Sequence, residues 1–497
     1  MTFILALDQS TTSSRAILHD GDRRVVCQAS AETRSCFPRP GWVEQDPDDI
    51  LRTSFEVLRR VLVKSGATLA SIAAMGITNQ RETVVVWDRA TGQPIAPAIV
   101  WQDRRTSGMC RRLAAEGHTA MIAERTGLLP DPYFSGTKIA WILDQVEGAR
   151  ERSGRGELLA GTIDSFVLWH LTGGEVHATD ATNASRTMLY NIREGCWDDD
   201  LCRLLGVPRS MLADVRDCAD DYGTSVIGNI PIRGVAGDQQ AAAIGQACFR
   251  PGMMKVTCGT GCFALLNIGS EPVISQRRLL TTVAWQLAGE RCYALEGSIF
   301  NAGTVVQWLR DGLDVIRDAG DTPALAEAAD PLHTPYLVPA FTGLGAPWWD
   351  AECRGAIHGL TRASGKAELV RAALESLAYQ VRDLLGAMLD DQTSAGDRPI
   401  VRVDGGMSAN DFAMQFLADI LDMPVDRMAN VEATALGVAW LSGHHAGVWP
   451  DMDSFAGSWQ GDRRFTPAME RAEADRRYQG WQDAVRRTLV RNEGAMT

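Results

Sequence analysis

The chain contains two matching segments, almost half its length apart, that constrain its fold more than any other feature. Residues 3–7 and 254–257 are apolar runs, and each leads into a turn rich in glycine or hydroxyl side chains. A second apolar run follows each turn, at residues 15–18 and 262–268. This pattern predicts two β-hairpins whose turns present backbone N–H groups and hydroxyls. Such donors suit a phosphate chain, so two hairpins facing one cleft would hold a nucleotide from both sides.

Ordinary turns and two well-known nucleotide-binding loops are the alternatives for these hairpins. Turns rich in serine and threonine are common, so the first hairpin taken alone is equally consistent with a plain turn. The second contains Gly259-x-Gly261-x-x-Ala264, but residues 263–268 form an extended apolar run where a dinucleotide-binding fingerprint requires a helix. A Walker-type loop at 359–366 is excluded by its spacing and by Ala367. The duplication therefore favours paired phosphate-binding turns.

The composition is that of a large globular protein and argues against several functional classes. The chain has 497 residues, 45% of them apolar and 22% charged, which is enough for two or three domains. A net charge of −13 argues against general nucleic-acid binding, and no apolar stretch approaches the roughly 20 residues that span a bilayer. The eleven cysteines lack CxxC spacing, and the eight histidines lack metal-ligand spacing. We therefore expect a cytoplasmic protein without a structural metal.

Strand-like and helix-like segments alternate along the chain, which indicates an α/β fold in two halves. Outside the two matching hairpins, the predicted strands are residues 73–77, 232–236 and 400–403, and residues 84–87 and 95–101 are predicted to form a further hairpin around a turn at 88–93. The predicted helices include residues 138–145 and 366–389, and one that begins at Gln240. Ser408 and Asp411 predict a capping box for a later helix. Because each half opens with a hairpin, we divide the chain into an N-terminal lobe, residues 1–246, and a C-terminal lobe, residues 247–497.

Two carboxylates, Asp8 and Asp238, follow predicted strands beside the proposed phosphate site. An aspartate in such a position is often only a helix cap or a turn former. Next to phosphates, however, one carboxylate can hold Mg²⁺ directly or through water, and the other can accept a proton from an attacking hydroxyl. Phosphoryl transfer needs little more than alignment and charge neutralisation, so this pair is consistent with such a reaction.

A second group of residues combines polar side chains with aromatic rings. Individually, the arginine and glutamate of this group are consistent with an exposed ion pair, and the aromatic residues with core packing. Together they suit a small polyol, because bidentate polar groups can bind its hydroxyls and aromatic faces can cover its C–H edge. The group consists of Arg81, Glu82, Trp101, Tyr133, Asp238, Gln239 and Phe263.

At these residues the sequence resembles the FGGY family of carbohydrate kinases, and within it the members that phosphorylate glycerol. Residues 133–145 fit one family signature, and residues 355–360 followed by 368–375 fit the other. Four segments are more specific to the glycerol-phosphorylating members: GITNQRET at 76–83, VWQDRRT at 100–106, GDQQA at 237–241 and FTGLGAP at 341–347. The resemblance runs through almost the whole chain, so no single motif has to carry it.

The resemblance implies an actin-like, ribonuclease-H-like fold, in which two lobes close over ATP and the substrate. It implies ATP-dependent phosphorylation of glycerol to sn-glycerol 3-phosphate, with Asp238 as catalytic base and Asp8 as the carboxylate near Mg²⁺. The hydroxyls of glycerol would be bound by Arg81, Glu82, Tyr133, Asp238 and Gln239, with Trp101 and Phe263 packed on its carbons. The implied nucleotide contacts are Thr11, Thr12, Ser13, Arg15, Thr260, Gly303, Gln307, Gly406 and Asn410. Family members are commonly homodimers or homotetramers.

Two departures from the family pattern bear on the first turn and on regulation. Ser10 stands where many relatives carry glycine, and a positive φ there would cost a side chain roughly 1 kcal/mol. Residues 222–231 are shorter than the corresponding loop of relatives that bind fructose 1,6-bisphosphate, and they lack the histidine of phosphocarrier-regulated relatives. We therefore expect neither control.

Two other functions remain open at this point. One is a kinase for a longer polyol or a ketose, such as erythritol or xylulose, which the aromatic side chains at 101, 133 and 263 disfavour by leaving little room. The other is a non-catalytic actin-like nucleotide-binding module, which would have no reason to carry the polyol-binding residues. Glycerol-dependent release of ADP distinguishes these alternatives from phosphorylation of glycerol.

Overall fold

The computed structural model describes residues 2–350, 352–392, 399–429 and 432–489, and two mixed β-sheets organise it. In the first sheet, Phe3–Gln9 pairs antiparallel with Ser13–His19 and parallel with Ile72–Asn79. The order of its five strands is Ile232–Gly237, Ile72–Asn79, Phe3–Gln9, Ser13–His19 and Val25–Glu32. The first predicted hairpin is therefore confirmed, with its turn at residues 10–12.

The second sheet repeats this arrangement around the second hairpin. Met253–Cys258 pairs antiparallel with Cys262–Gly269 and parallel with Ile400–Asp404. The order of its seven strands is Leu280–Leu287, Glu290–Ile299, Cys262–Gly269, Met253–Cys258, Ile400–Asp404, Val425–Met428 and Gly461–Phe465. The repeat predicted from the two hairpins thus extends to a third, parallel strand in each sheet.

Four smaller sheets complete the strand inventory of the described residues. A five-stranded sheet has the order Ser35–Cys36, Glu44–Gln45, Ala98–Ile99, Val84–Asp88 and Leu158–Thr162. The three two-stranded sheets pair Ala178–Asp180 with Asp214–Arg216, Tyr190–Asn191 with Cys196–Trp197, and Tyr336–Val338 with Ala356–His358. The predicted hairpin at 84–101 is confirmed in outline, since Val84 pairs with Ile99.

Helices cover the sheets and begin where the sequence provides caps. Pro47–Ser65, for example, begins after the N-cap Asp46 and ends at Gly66, whose φ of 63° is left-handed. The α-helices are Pro47–Ser65, Ser107–Ala115, Thr119–Thr126, Ser135–Gln145, Ala149–Gly154, Ile163–Leu171, Ala181–Ala184, Asp199–Leu205, Asp238–Gly245, Gly303–Gln307, Thr322–Ala328, Lys366–Asp391, Asp411–Leu421, Ala433–His445, Met452–Gly457 and Arg471–Leu489. Among the described residues, no helix is both long and apolar enough to cross a membrane.

Two helices of small residues, Asp238–Gly245 and Ala433–His445, pack against each other with very close backbone contact. A Cβ on Gly437 would lie 1.8 Å from the carbonyl oxygen of Ala241, and a Cβ on Gly245 would lie 2.0 Å from that of Ala433. Ala433–His445 also packs on the first sheet, where a Cβ on Gly76 would lie 2.5 Å from the Val438 oxygen. A helix from the second half of the chain therefore contacts the first sheet, and the division into lobes at 246/247 stays a prediction.

Candidate active site

The first hairpin turn is closed by hydroxyl groups and exposes the predicted phosphate-binding residues. The Ser10 N–H donates to the Ser13 carbonyl oxygen at 2.8 Å, and the Ser10 hydroxyl donates to the same oxygen at 2.9 Å. The backbone of Ser10 lies outside the left-handed region, so the condition under which a side chain there would cost free energy is not met. Thr12 is exposed, and Thr11 and Ser13 are half-buried. The turn thus accommodates Ser10 without backbone strain, and its hydroxyl adds a bond within the turn.

The second hairpin turn is held by the start of a short helix. The N–H of Gly303 donates to the Gly259 carbonyl oxygen at 2.9 Å, and the N–H of Ala302 donates to that of Thr260 at 3.1 Å. A Cβ on Gly303 would lie 2.6 Å from the Gly259 oxygen, so this contact requires glycine. Gln307 is exposed at the end of the same helix. The structure therefore brings Thr260 and Gly303 together.

A third turn, after the strand Ile400–Asp404, packs against the second hairpin. Gly405 has a φ of 85°, and a Cβ there would lie 2.6 Å from the Cys258 carbonyl oxygen. Gly406 follows it and has open space beside its Cα. Thr260, Gly303 and Gly406 are thus on elements that contact one another around one turn.

Asn410, rather than the predicted capping box, starts the helix that follows this turn. The Asn410 side chain accepts from the Ala413 N–H at 3.0 Å and donates to the Thr322 hydroxyl at 2.9 Å. The hydroxyl of Ser408 donates to the Gly405 carbonyl oxygen at 2.7 Å, so the prediction of a box from Ser408 and Asp411 is wrong. A local bond within the Gly405 turn competes with the cap, which sequence spacing alone does not reveal.

Asp8 lies near the end of the first strand, Phe3–Gln9, and forms an ion pair with Arg15 across the hairpin. Arg15 Nη2 donates to Asp8 Oδ2 at 2.6 Å, while its Nη1 donates to Glu432 Oε2 at 2.8 Å. Burial raises the pKa of Asp8, and the charge of Arg15 opposes this rise. Among the described residues no side chain donates to Asp8 Oδ1. Asp8 therefore retains one oxygen for a further ligand.

The structure places Asp238 at the first position of a helix, two residues earlier than the predicted start at Gln240. Arg81 Nε lies 3.2 Å from Asp238 Oδ1, and the Gln239 N–H donates to the same oxygen at 2.7 Å. Burial raises the pKa of Asp238, against the lowering effects of Arg81 and Lys255, and the charge of Asp8 raises it further. The two carboxylates are thus close enough to repel each other.

Glu82 follows Arg81 in a strained backbone conformation that neighbouring side chains hold. Its φ of 61° lies in the left-handed region, which is uncommon outside glycine. The Lys138 ammonium donates to the Glu82 carbonyl oxygen at 3.1 Å, and the Ser135 hydroxyl donates to it at 3.2 Å. The Glu82 carboxylate accepts from Arg186 Nε at 2.6 Å. Such strain commonly marks a functional site.

The three predicted aromatic residues form one cluster beside these polar groups. The Trp101 ring lies edge-on to Tyr133, with centroids 5.8 Å apart, and edge-on to Phe263, at 6.3 Å. Trp101 Nε1 donates to the Thr11 hydroxyl at 2.9 Å, which links the cluster to the first hairpin turn. Phe263 comes from the second sheet and the other two rings come from the first half of the chain. The cluster thus spans both halves.

Sequence reasoning missed four buried charged residues around this site: Lys138, Arg186, Lys255 and Glu296. Lys255 donates to Gln239 Oε1, and its pKa is lowered by burial. Burial acts to raise the pKa of Glu296, but Arg186 and Arg81 lower it to about 2. The signal in the sequence was a charged residue within an apolar strand, as at Lys255 and Glu296, which indicates a buried partner without naming it.

Mg²⁺ prefers oxygen ligands and usually keeps several waters, so one carboxylate beside phosphates is sufficient to hold it. The described residues contain no group of three or more histidine, cysteine, aspartate or glutamate side chains that could hold a metal alone. Asp8, with its unpaired Oδ1 at the first turn, fits a Mg²⁺ ion that is brought in with a nucleotide. The chain's donor set thus suits a shared rather than a resident metal.

A broad cavity of about 830 Å³ lies away from these residues, lined among others by Arg89, Glu175, Arg209 and Asp214. The guanidinium of Arg89 donates to the carbonyl oxygens of Gly156 and Ser210, and that of Arg209 to the Trp197 oxygen. These arginines stabilise the surrounding loops, and the chemistry-bearing groups converge instead between the hairpins.

The chain is similar to carbohydrate kinases both in sequence and in structure. The N-terminal-domain model of the FGGY family of carbohydrate kinases matches residues 3–245, and the C-terminal-domain model matches residues 254–446. The chain is 58% identical over 492 residues to a glycerol kinase of Rhizobium meliloti (strain 1021), covering 98% of this chain and 99% of the relative. It is 59% identical over 494 residues to a glycerol kinase of Cereibacter sphaeroides, covering 99% and 100%.

Among solved structures, a Plasmodium falciparum glycerol kinase with ADP superposes with a TM-score of 0.92 at 34% identity, covering 98% of both chains. A ligand-bound xylulose kinase from Lactobacillus acidophilus superposes with a TM-score of 0.87 at 21% identity, covering both chains fully. At that identity the second similarity concerns the fold alone. Both neighbours have the two-domain, actin-like ATPase fold expected from the sequence.

Proposed function

Because the chain belongs to the FGGY family of carbohydrate kinases, we propose that it transfers the γ-phosphoryl group of ATP to a terminal hydroxyl of glycerol. The product is sn-glycerol 3-phosphate, and Asp238 is the general base. The observation that carries this proposal is the position of Asp238 at a helix start, with Arg81 Nε 3.2 Å from its carboxylate. Glycerol kinases that are 58% identical over nearly the full length support the choice of substrate.

The polyol site consists of polar groups on one side and aromatic rings on the other. Arg81, Glu82, Tyr133, Asp238 and Gln239 bind the hydroxyls of glycerol in this proposal, and Trp101 and Phe263 cover its carbons. The edge-on packing of Trp101 against Tyr133 and Phe263 leaves a small apolar wall, which suits three carbons better than a longer chain.

Asp238 is suited to remove a proton because its pKa is raised by burial in the cleft. A carboxylate with a higher pKa is a stronger base, and the charges of Arg81 and Lys255 act against this rise. As the glycerol oxygen attacks the γ-phosphorus, its proton passes to the Asp238 carboxylate, the bond between the γ-phosphorus and the bridging oxygen breaks, and ADP leaves. Exclusion of water from the cleft favours glycerol over water as the acceptor.

The turns of the two hairpins bind the phosphate chain of ATP in this proposal. Their free N–H groups and hydroxyls provide donors without bulk. The ADP in the solved Plasmodium falciparum structure supports a nucleotide site in this fold. We assign the nucleotide contacts to Thr11, Thr12, Ser13, Arg15, Thr260, Gly303, Gln307, Gly406 and Asn410.

Asp8 would hold Mg²⁺, directly or through water, by the carboxylate oxygen that Arg15 leaves unpaired. When bound, the metal neutralises charge that develops on the phosphate oxygens. Burial raises the pKa of Asp8, and the charge of Arg15 favours its ionised form, which is the form that binds a cation.

We also propose a cytoplasmic homodimer or homotetramer that neither fructose 1,6-bisphosphate nor a phosphocarrier protein regulates. The segment between Tyr222 and Pro231 supports the lack of bisphosphate control, because it closes tightly: the Ser225 N–H donates to the Ile230 carbonyl oxygen at 2.9 Å. Its side chains offer no group of basic residues for a bisphosphate.

A coupled assay for ADP, with glycerol, erythritol and xylulose offered separately, tests the substrate. We expect glycerol to give the highest kcat/KM. Replacing Asp238 by asparagine should lower kcat by about 10² to 10⁴-fold, because the base is removed while the shape is kept. Asp8→Asn is the comparison variant, and its defect should be relieved in part by higher Mg²⁺. Near-normal turnover of a folded Asp238→Asn enzyme would contradict the assigned role.

A further inference from the structure

Four buried charged side chains form a continuous network behind the polyol site. Arg81 binds Glu296 with both terminal nitrogens, Nη1 at 2.6 Å and Nη2 at 3.0 Å. Arg186 bridges the two carboxylates, with Nε 2.6 Å from Glu82 and Nη2 3.0 Å from Glu296. The side chains are at most 2% exposed. Two arginines and two glutamates balance in charge, so the network is neutral.

Glu296 and Arg186 fix which atoms of Arg81 and Glu82 face the substrate. Because Glu296 occupies both terminal nitrogens of Arg81, the Nε edge is the part that lies beside Asp238, 3.2 Å away. Because Arg186 Nε occupies Glu82 Oε1, the Oε2 atom accepts no hydrogen bond from any described residue. Arg81 and Glu82 are thus each held on one side by a buried partner, and the other side of each faces the proposed polyol site.

The partner of Arg81 comes from the other sheet of the molecule. Arg81 and Glu82 follow a strand of the first sheet, while Glu296 lies in Glu290–Ile299 of the second, two strand positions from the residue paired with Phe263. Removing water from four charges is costly, and well-packed apolar side chains would often be as stable. Stability alone therefore does not account for this network at this place.

We infer that Arg186 and Glu296 are positioning residues for phosphoryl transfer, which orient Arg81 and Glu82 toward the alcohol without touching it. This inference rests on the proposed function for the identity of the alcohol. In this arrangement the polyol site is complete only when the second sheet places Glu296 against Arg81. An orientation error of about 1 Å at such a site can cost about 10²-fold in kcat/KM.

The ionisation of Glu82 gives a readout that a purely structural role would not change. Burial raises the pKa of Glu82, Arg81 and Arg186 lower it, and Glu296 raises it. Lys138 and Tyr133 also face this carboxylate. Without the charge of Arg186, Glu82 should take up a proton at a higher pH than in the wild type and lose an acceptor for the hydroxyl. The KM for the alcohol should then rise as the pH falls.

The test compares Glu296→Gln with Glu375→Gln, a matched control. Glu375 is also buried and also contacts two arginines, Arg371 at 2.7 Å and Arg477 at 3.4 Å, in the helix Lys366–Asp391. We expect both variants to lower the melting temperature, but only Glu296→Gln to lower kcat/KM for glycerol, by about 10²-fold. The KM for ATP should stay within about 2-fold in both, because the nucleotide turns are unchanged.

Two variants of Arg186 test the charge and the geometry separately. Arg186→Gln should make the KM for glycerol rise as the pH falls, whereas Arg186→Lys, which keeps the charge, should raise KM without that pH dependence. Unchanged kinetics of Glu296→Gln, or of both Arg186 variants, would overturn the inference. If Glu296→Gln does not fold, the pH profiles of the Arg186 variants decide it. If the wild-type enzyme does not use glycerol, the proposed function fails, and the comparison is made with the alcohol that it does phosphorylate.

Discussion

Lys138 offers a test of how burial at this site affects stability. It lies in the helix Ser135–Gln145 with its side chain fully buried. Its ammonium donates to the Tyr133 carbonyl oxygen at 2.8 Å and to the Glu82 oxygen at 3.1 Å. Burial lowers the pKa of Lys138 to about 7, although Glu82, Asp103 and Asp131 act to raise it. Burial of the protonated ammonium therefore lowers the free energy of unfolding.

The size of that cost follows from proton linkage. A pKa lowered from its ordinary value of 10.5 to about 7 corresponds to roughly 5 kcal/mol, at about 1.4 kcal/mol per pH unit. Below pH 7 both the folded and the unfolded chain carry the proton, and the folded state bears the full cost. Between pH 7 and 10.5 only the unfolded chain keeps the proton, so the free energy of unfolding rises with pH. Lys138→Met removes this contribution.

The assay is the melting temperature of the wild type and of Lys138→Met from pH 7 to pH 9.5, measured by scanning calorimetry. Their difference in unfolding free energy should shift in favour of the wild type by about 1.4 kcal/mol per pH unit, or about 1 to 3 °C. Lys64→Met is the control, because the Lys64 ammonium also donates to a carbonyl oxygen, that of Gln28, but at the surface. Parallel curves for the wild type and Lys138→Met would refute the reasoning.

Two further predictions concern the helix contact and regulation. Gly437→Ala should lower the melting temperature by several degrees, because its Cβ would lie 1.8 Å from the Ala241 oxygen and overpacking costs about 1 to 3 kcal/mol. Gly457→Ala is the control, because a Cβ on Gly457 would have nothing within 4 Å, and it should leave the melting temperature unchanged. Equal melting temperatures of the two variants would contradict this prediction. Millimolar fructose 1,6-bisphosphate should leave the rate of glycerol phosphorylation unchanged, and inhibition in the ADP assay would overturn that expectation.

The paired hairpins could be predicted because their signals are local. An apolar run, a turn of glycine or hydroxyl residues and a second apolar run are sufficient to specify each hairpin. The predicted capping box was wrong because a local side-chain bond competes with it. The hydroxyl of Ser408 donates to the Gly405 carbonyl oxygen within its own turn, so Asn410 caps the helix instead.

The site could be predicted where its residues follow strands. Asp8, Arg81 and Asp238 all lie at or just after strand ends of the first sheet, and the ends of parallel strands meet at one edge. Gly303 and Gln307 were proposed as site residues only through the family resemblance. The structure gives the reason for Gly303, which is the contact with the Gly259 oxygen across the turn. Gly303 and Gly259 lie 44 positions apart in the sequence, so no local pattern indicates their contact.

The residues that orient the site were out of reach because each depends on a partner from elsewhere in the fold. Glu296 interrupts the buried run Tyr293–Ile299, and a carboxylate at such a position needs a cation. The sequence indicates that Glu296 requires a cation but does not identify it, since Arg81 lies 215 positions away and follows a strand of the other sheet. Arg186, which follows the short helix Ala181–Ala184, carries no periodic signal at all. A buried charge in an apolar strand should therefore be treated as one half of a contact, and the search for its other half should include the opposite side of the cleft.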